Sequence, residues 1–338
     1  LRRKKIIIGI HGAGNKPPQP LTKLWWRKAI CEGLARIGYP RRMFKLELVY
    51  WAKFLYSEPQ RIDEQDSDSP LFISSPYVPA ASNNLHKSRR LIRKKLLDGL
   101  EIIMDRMMLS ENRLFNFDRL GDYVIRKKFR DLELYYHGGD LKFDEIGLHA
   151  RRLIRKELAK VLKKHRKKDI LLIAHSMGSV IAYDVLTQLV PDVPIHTLVT
   201  IGSPLGLPAI LKKIFAEQHK DLKADRMAAA PESIRHAWVN FADLKDTIAL
   251  NYSLSNDFKP NSRGVGPSDV VVENDYEYQG KKNPHKTFGY LRTPEVARVI
   301  HEFLTEKKRL SLETVTARIG GVFRNLGKSR NASQAIMG

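Results

Sequence analysis

Ser176 stands in the stretch DILLIAHSMGS, residues 169–179. A serine hydroxyl is a weak nucleophile until a neighbouring base takes its proton during attack. One backbone arrangement lifts such a hydroxyl clear of the chain: a buried strand, a sharp turn bearing the serine, and a helix directly behind it. Here ILLIA supplies an apolar run before the serine, and VIAYDVLTQL after it is compatible with a helix. The turn packs backbone on backbone, so the positions two before and two after the serine must be small. They are Ala174 and Gly178. Glycine is usual at both, and alanine at the first still meets the steric need. The bland alternative is a small residue opening an ordinary helix, and partner residues decide between the two.

An acyl-transfer nucleophile needs two backbone N–H groups aimed at the oxyanion, each worth about 3 kcal/mol of barrier. Met177, directly after the serine, supplies one. The loop in IIIGIHGAG is placed to supply the other: His11 and Gly12 let backbone approach a substrate, Ala13 is the expected donor, and Gly14 completes the loop. This loop lacks the Walker lysine–hydroxyl pair and the full G-x-G-x-x-G spacing, which argues against a phosphate cradle. The base and acid are sought in the order serine, aspartate, histidine. Of eleven histidines, His11 and His175 belong to the loop and the turn, where they orient backbone. His86, His149, His165 and His219 lie in or beside charged helical patterns and read as surface residues. His285, in NPHKTFGYL, falls between the last expected strand and the last expected helix, where a base can hang over the sheet. HAWVNFADLKDTIAL offers Asp243 and Asp246 just past a strand end; Asp246 is preferred as the acid, with Asp243 bracing the loop. No HExxH or clustered ligand spacing points to a metal, and the chemistry calls for no cofactor.

The elements that must position these groups can be read from periodicity. Residues 4–10 form a strand-like run. Residues 21–38 fit a helix with Leu24, Trp25, Ile30, Leu34 and Ile37 on its apolar face, and 44–51 fit a second strand. Strand, helix and strand suggest a parallel βαβ unit. The rhythm resumes with a basic helix at 144–167, a strand ending at His175, a helix at 177–190 and a strand at 196–201. A helix at 209–220, strands at 236–242 and 269–273, and a helix at 294–308 opened by Thr293-Pro294 complete the pattern. The expected fold class is α/β, a doubly wound, mostly parallel sheet. Residues 1–308 read as one domain, with 57–143 as an inserted basic helical lid or cap and 309–338 as a basic tail. Within the insertion, 57–84 holds four prolines and the acidic cluster Asp63, Glu64, Asp66 and Asp68, which is a loop pattern. Residues 85–109 fit an amphipathic helix, with Ile92, Leu96, Leu100, Ile103 and Met107 on one face.

Composition bounds the class. Hydrophobic residues make up 43% of the 338, enough for a sizeable core, and no apolar run is long enough to span a bilayer. The basic start LRRKKIII runs straight into HGAG, so it reads as a first strand and not as a signal peptide, although the chain opens without Met. Cys31 is the single cysteine, inside a helical pattern that reads as buried; a lone thiol suits a reducing compartment. The net charge is +22, and residues 84–168 carry 24 Lys/Arg against 12 Asp/Glu. Such charge steers toward anionic partners, among them an anionic membrane surface or an acidic protein. Nucleic acid is disfavoured, because aromatics are not interleaved with the basic runs and no reader motif occurs. Solvated surface charge is the competing explanation.

The stretches HGAG, AHSMGSVIAYDVL, TIGSPLGLP, WVNFADLKDTIA and NPHKTFGYL, in that order, resemble the α/β-hydrolase superfamily in its serine esterase and lipase branch. HSMGSVIAYDVL with GSPLGL is also similar to intracellular DDHD-type phospholipases, without the D-D-H-D run itself. The resemblance spans residues 6 to about 304 apart from the insertion, and departs from the usual pattern at Ala174, in the insertion and in the tail. It implies the α/β-hydrolase fold, with Ser176 as nucleophile, His285 as base and Asp246 as acid. Ala13 and Met177 are then the oxyanion donors, and the substrates are carboxylic esters, lipid or phospholipid acyl esters among them. The single thiol and the Lys/Arg-rich start of the helix at 85–109 lead to the expectation of a cytoplasmic protein with peripheral contact at an anionic membrane. The alternative is a hydrolase-fold module without turnover that binds anionic lipid or an acidic protein through its insertion. Acyl chain length, head group and oligomeric state are left open.

Overall fold

The computed structural model describes residues 3–40, 43–80, 123–136, 144–217, 227–249 and 253–306. In chain order the elements are β1 (Lys5–Ile10), α1 (Gln19–Arg36), β2 (Leu46–Val49), α2 (Tyr123–Tyr136), α3 (Asp144–Lys164), β3 (Asp169–His175), α4 (Met177–Asp184), β4 (Ile195–Ile201) and α5 (Pro208–Glu217). There follow β5 (Ala228–Ala229), β6 (Ile234–Asp243), α6 (Leu254–Asp257), β7 (Phe258–Lys259), β8 (Pro267–Val272), β9 (Glu277–Tyr278), β10 (Lys281–Lys282), α7 (Thr287–Leu291) and α8 (Pro294–Thr305). Six strands make one sheet in the order β2-β1-β3-β4-β6-β8, and every neighbouring pair is parallel. The fold class is α/β, as the alternation of strand and helix patterns requires.

Near-continuous apolar runs such as ILLIA suit strands covered on both faces. Alternate residues of each strand feed two cores. Ile6, Ile8, Ile10, Ile170, Leu172 and Ala174 pack on one side with Ile154, Leu158 and Leu162 of α3 and Val180 and Ile181 of α4. Ile7, Leu171, Ile173 and Val199 pack on the other with Trp26, Ile30 and Leu34 of α1 and Val296, Ile300 and Phe303 of α8. Each fully buried side chain of this size contributes about 1.5–3 kcal/mol relative to exposure. The chain leaves β1 toward β2 on one side and returns to β3 on the other. The strand order therefore reverses between β1 and β3, and it is outside the carboxyl ends of the strands at such a point that open parallel sheets bind ligands.

Several local expectations are corrected. On α1 Ile30 and Leu34 are buried as expected and Trp25 and Ile37 pack half-buried against the same core, but Leu24 is exposed, and Thr22, Trp26, Ala29 and Gly33 complete the buried face. Trp26 is the deeper of the two tryptophans because its ring lies where a side chain on Gly9 would stand, 2.7 Å from an added Cβ. Cys31 is half-buried on this helix. The helix after Ser176 does not run evenly to 190: it widens into a π-turn over Val185–Leu189. His165 is buried and not a surface residue, with Nε2 2.5 Å from Glu47 Oε2. In the insertion, the bridge Arg61↔Phe72 and helix α2 are described; the expected helix at 85–109 and the tail 309–338 lie outside the described residues. Residues 76–80 are pinned to the body: Tyr276 donates to the Pro76 carbonyl at 2.5 Å, Arg292 to the Val78 carbonyl at 2.7 Å, and the Ala80 amide to Glu32 at 3.0 Å.

Candidate active site

β3 ends at His175, and Ser176 turns the chain at φ 53, ψ −130 before α4 begins at Met177. A non-glycine residue in this region costs about 1–3 kcal/mol and persists only where its surroundings hold it. Here the Ser176 amide donates to the Ile201 carbonyl at 3.0 Å, and its own carbonyl accepts from the Ser179 amide at 2.8 Å and hydroxyl at 2.6 Å. A Cβ on Gly178 would stand 2.7 Å from the Ile10 carbonyl oxygen, so glycine is required there. Ala174, in register with Ile10 and Thr200, is fully buried and its methyl is accommodated, which explains why alanine suffices two residues before the serine.

His285 Nε2 lies 2.9 Å from Ser176 Oγ, and its Nδ1 lies 2.7 and 2.9 Å from the two oxygens of Asp246. A carboxylate only accepts, so Nδ1 carries the proton and Nε2 is left to accept from the serine hydroxyl. All three residues are buried. The loop bearing the imidazole is held at three successive carbonyls. Asn274 donates through Nδ2 to those of Pro284 and Lys286, both at 2.8 Å, and His175 Nε2 donates to that of His285 at 2.8 Å. Thr287 donates its hydroxyl to His175 Nδ1 at 2.9 Å, which fixes the His175 tautomer. The Asn274 amide occupies the space of a side chain on Gly289, 1.6 Å from an added Cβ, so the loop closes only over glycine.

The Asp246 and Asp243 alternatives separate cleanly. Asp246 takes the imidazole on both oxygens, the Tyr290 hydroxyl on Oδ2 at 2.7 Å and the Ile248 amide on Oδ1 at 3.0 Å. Burial pushes its carboxyl up, but the imidazole beside it and the hydrogen bonds from His285, Tyr290 and Ile248 outweigh that and hold it below the usual range. The Asp243 carboxylate is engaged instead by the backbone N–H groups of Lys245 at 2.8 Å and Asn274 at 2.6 Å, and burial raises its pKa. It braces the loop. Gly202, at φ 54, passes against the pair: an added Cβ would lie 2.9 Å from Asp246 Oδ2 and 3.2 Å from His285 Nδ1.

The loop after β1 crosses close to the serine. A Cβ on Gly12 would stand 2.7 Å from Ser176 Cβ. His11 Nε2 accepts the Trp51 amide at 3.1 Å, so Nδ1 bears the proton and donates to the Gly12 carbonyl at 2.8 Å. Burial, reinforced by the Lys16 charge, keeps His11 well below its ordinary pKa and neutral. In a trans peptide C=O and N–H point in opposite directions, so the Ala13 amide is turned away from the His11 ring. Gly14 sits in the left-handed region at φ 86. Met177, as first residue of α4, presents an N–H that has no acceptor within the helix.

Ser176, His285 and Asp246 are thus brought together, with Gly12 and Gly178 packed around the serine and His11 and His175 orienting backbone. Sequence reasoning did not single out Asn274, Thr287, Tyr290, Gly202 or Ser179. Gly202, Thr287 and Tyr290 do fall inside the stretches GSPLGLP and NPHKTFGYL; Asn274 carries no local signal. Among the described residues no cluster of His, Cys, Asp and Glu could hold a metal ion, and no helix is long and apolar enough to cross a membrane. Such a line of groups can activate a hydroxyl as nucleophile and return its proton to a leaving group. Comparison of the chain with protein-family models, curated proteins and solved structures finds no match.

Proposed function

We propose that this protein is a serine hydrolase of α/β-hydrolase type that cleaves carboxylic esters through an acyl-enzyme on Ser176. The observation that carries the reading is the unbroken line Ser176 Oγ, His285 Nε2, His285 Nδ1 and Asp246 at 2.9 and 2.7 Å. In this reading Ser176 Oγ attacks the ester carbonyl as His285 Nε2 takes its proton. The Ala13 and Met177 amides receive the developing oxyanion. The tetrahedral intermediate collapses, the C–O bond to the alcohol breaks, and His285 returns the proton to the departing oxygen. A water, deprotonated by the same nitrogen, then adds to the acyl-enzyme and releases the acid. Asp246 stays ionised and holds the imidazole in the working tautomer.

Lipid or phospholipid acyl esters are the proposed substrate class, with the insertion 57–143 serving as a cap and the protein meeting anionic membranes peripherally. The solvent side of α3 supports that contact: Arg152, Lys156, Lys160, Lys163 and Lys164 are exposed, and Arg166 and Lys167 continue the run. Near an anionic leaflet each such charge is worth about 1 kcal/mol. The same face favours a second reading, a module that binds anionic lipid or an acidic protein without turnover. A panel of short esters, triglycerides and phospholipids, assayed with wild type and Ser176→Ala, separates the two. Turnover by wild type alone supports the hydrolase; vesicle binding without turnover of any substrate supports the module.

A further inference from the structure

Both roots of the insertion grip the loop that follows β1. At the first root, Asn15 Nδ2 donates to the Glu58 carbonyl at 2.9 Å and the Gln60 amide to the Lys16 carbonyl at 2.9 Å. At the second, Asp131 of α2 is buried at 2% exposure. Its Oδ2 accepts the Gly14 amide at 2.6 Å, while Oδ1 accepts the Tyr56 hydroxyl at 2.7 Å. Burial and the Asp131 charge raise the Tyr56 pKa, so that hydroxyl remains a donor. The Gly14 N–H belongs to the same peptide as the Ala13 carbonyl, and that carbonyl accepts from Lys16 Nζ at 2.5 Å. Lys16 also reaches the Gly14 carbonyl at 2.7 Å. One peptide plane is therefore held from opposite ends by a buried carboxylate and an ammonium. On its other side Ala13 is held through the Gly12 carbonyl by His11. The orientation of the Ala13 N–H is fixed by these two peptides.

We propose that Asp131 is a positioning residue for the Ala13 amide, acting through the Ala13–Gly14 peptide. The oxyanion site is then complete only when the second root of the insertion is seated. The proposal rests on the serine-hydrolase reading. Asp131 joins the inserted helix both to Tyr56 and to the loop beside the serine. Without it, a glycine in left-handed conformation is free to rotate the peptide beside the donor. Acylation and deacylation both pass through an oxyanion, so kcat registers the loss whichever step limits.

The test compares Asp131→Leu, Asp131→Asn and Lys16→Met in the full chain, with steady-state kinetics on a soluble p-nitrophenyl ester. Loss of an oxyanion donor typically lowers kcat by about 10²–10³; misorientation of one is expected to lower it about 10–100-fold in Asp131→Leu, with KM within about twofold. Asp131→Asn keeps an oxygen for the Gly14 amide and restores kcat to within about threefold of wild type, a rescue that simple destabilisation does not predict. Lys16→Met lowers kcat as well. Combined with Asp131→Leu it loses less than the product of the single effects, because both act on one peptide. Wild-type kcat in folded Asp131→Leu overturns the proposal. If that variant does not fold, an unchanged kcat in Lys16→Met overturns it. Absence of ester turnover in wild type is a different failure: it removes the hydrolase reading itself.

Discussion

Tyr290 donates its hydroxyl to Asp246 Oδ2 at 2.7 Å while accepting the Asp243 amide at 3.0 Å, which makes it the group behind the acid. Burial, followed by the Asp246 charge, raises the Tyr290 pKa well above the ordinary phenol value, so it stays a donor. Tyr290→Phe removes a hydrogen bond to a charged group, worth about 1.5–3 kcal/mol. The imidazole contact persists, so kcat is expected to fall roughly tenfold with KM little changed. Steady-state kinetics beside a urea unfolding curve check this; an unaltered kcat removes Tyr290 from the relay.

The two neighbouring aspartates carry opposite predictions. In Asp246→Asn both side-chain positions face donors, from Tyr290 and Ile248, so the amide cannot present two acceptors and the imidazole tautomer is lost. A drop in kcat of about 10⁴ is expected, the scale of such a tautomer loss elsewhere. Asp243→Asn disturbs only the Lys245 and Asn274 amides, and should cost about 1–3 kcal/mol of stability with kcat largely retained. Exchanged phenotypes would move the acid to Asp243.

Stability should decline on the acid side. His196 is held down to about 3 by burial, by the His236 ring tilted against it at 4.1 Å and by Lys5, although Glu306 lies 3.2 Å from its Nε2 and favours the charged ring. The unfolded ring binds a proton below about pH 6.5, and the folded ring does not until about 3. The unfolded state thus holds more protons across that window, and unfolding free energy falls as pH falls, by up to about 1.4 kcal/mol per unit for this residue. His11, also lowered, adds a slope of the same sign. Urea unfolding at pH 7, 6, 5 and 4 should show a shallower decline in His196→Gln; an unchanged slope would contradict the assignment.

Membrane contact is tested through α3. Reversing Arg152, Lys156, Lys160 and Lys163 to Glu should abolish co-sedimentation with phosphatidylserine-containing vesicles, while turnover of a short soluble ester stays within about twofold, since none of these side chains reaches the site. Wild-type binding should weaken steeply as salt rises from 50 to 500 mM, as the Debye length falls from about 14 to about 4 Å. Salt-independent binding, or binding retained by the variant, removes α3 as the contact.

The parallel sheet was legible because its strands are apolar on both faces and alternate with amphipathic helices. Ser176, His285 and Asp246 were legible because chain order and strand ends restrict where such groups can stand. What escaped the reading depends on contacts between distant segments. Trp26 is buried more deeply than Trp25 because Gly9, on another element, leaves room for its ring. His165 was hidden by its basic neighbours and is buried through Glu47 of β2. Asn274 and Asp131 carry no local motif, and their roles arise only where they reach the carbonyls beside His285 and the amide of Gly14.

An activated Ser176 should react covalently with an electrophilic phosphorus reagent. Wild-type protein treated with a fluorophosphonate and digested should carry the phosphonyl mass on the peptide containing Ser176, with ester turnover lost in parallel. Ser176→Ala and His285→Ala should remain unlabelled. A label on any other residue, or equal labelling of Ser176→Ala, would show that Ser176 is not the nucleophile.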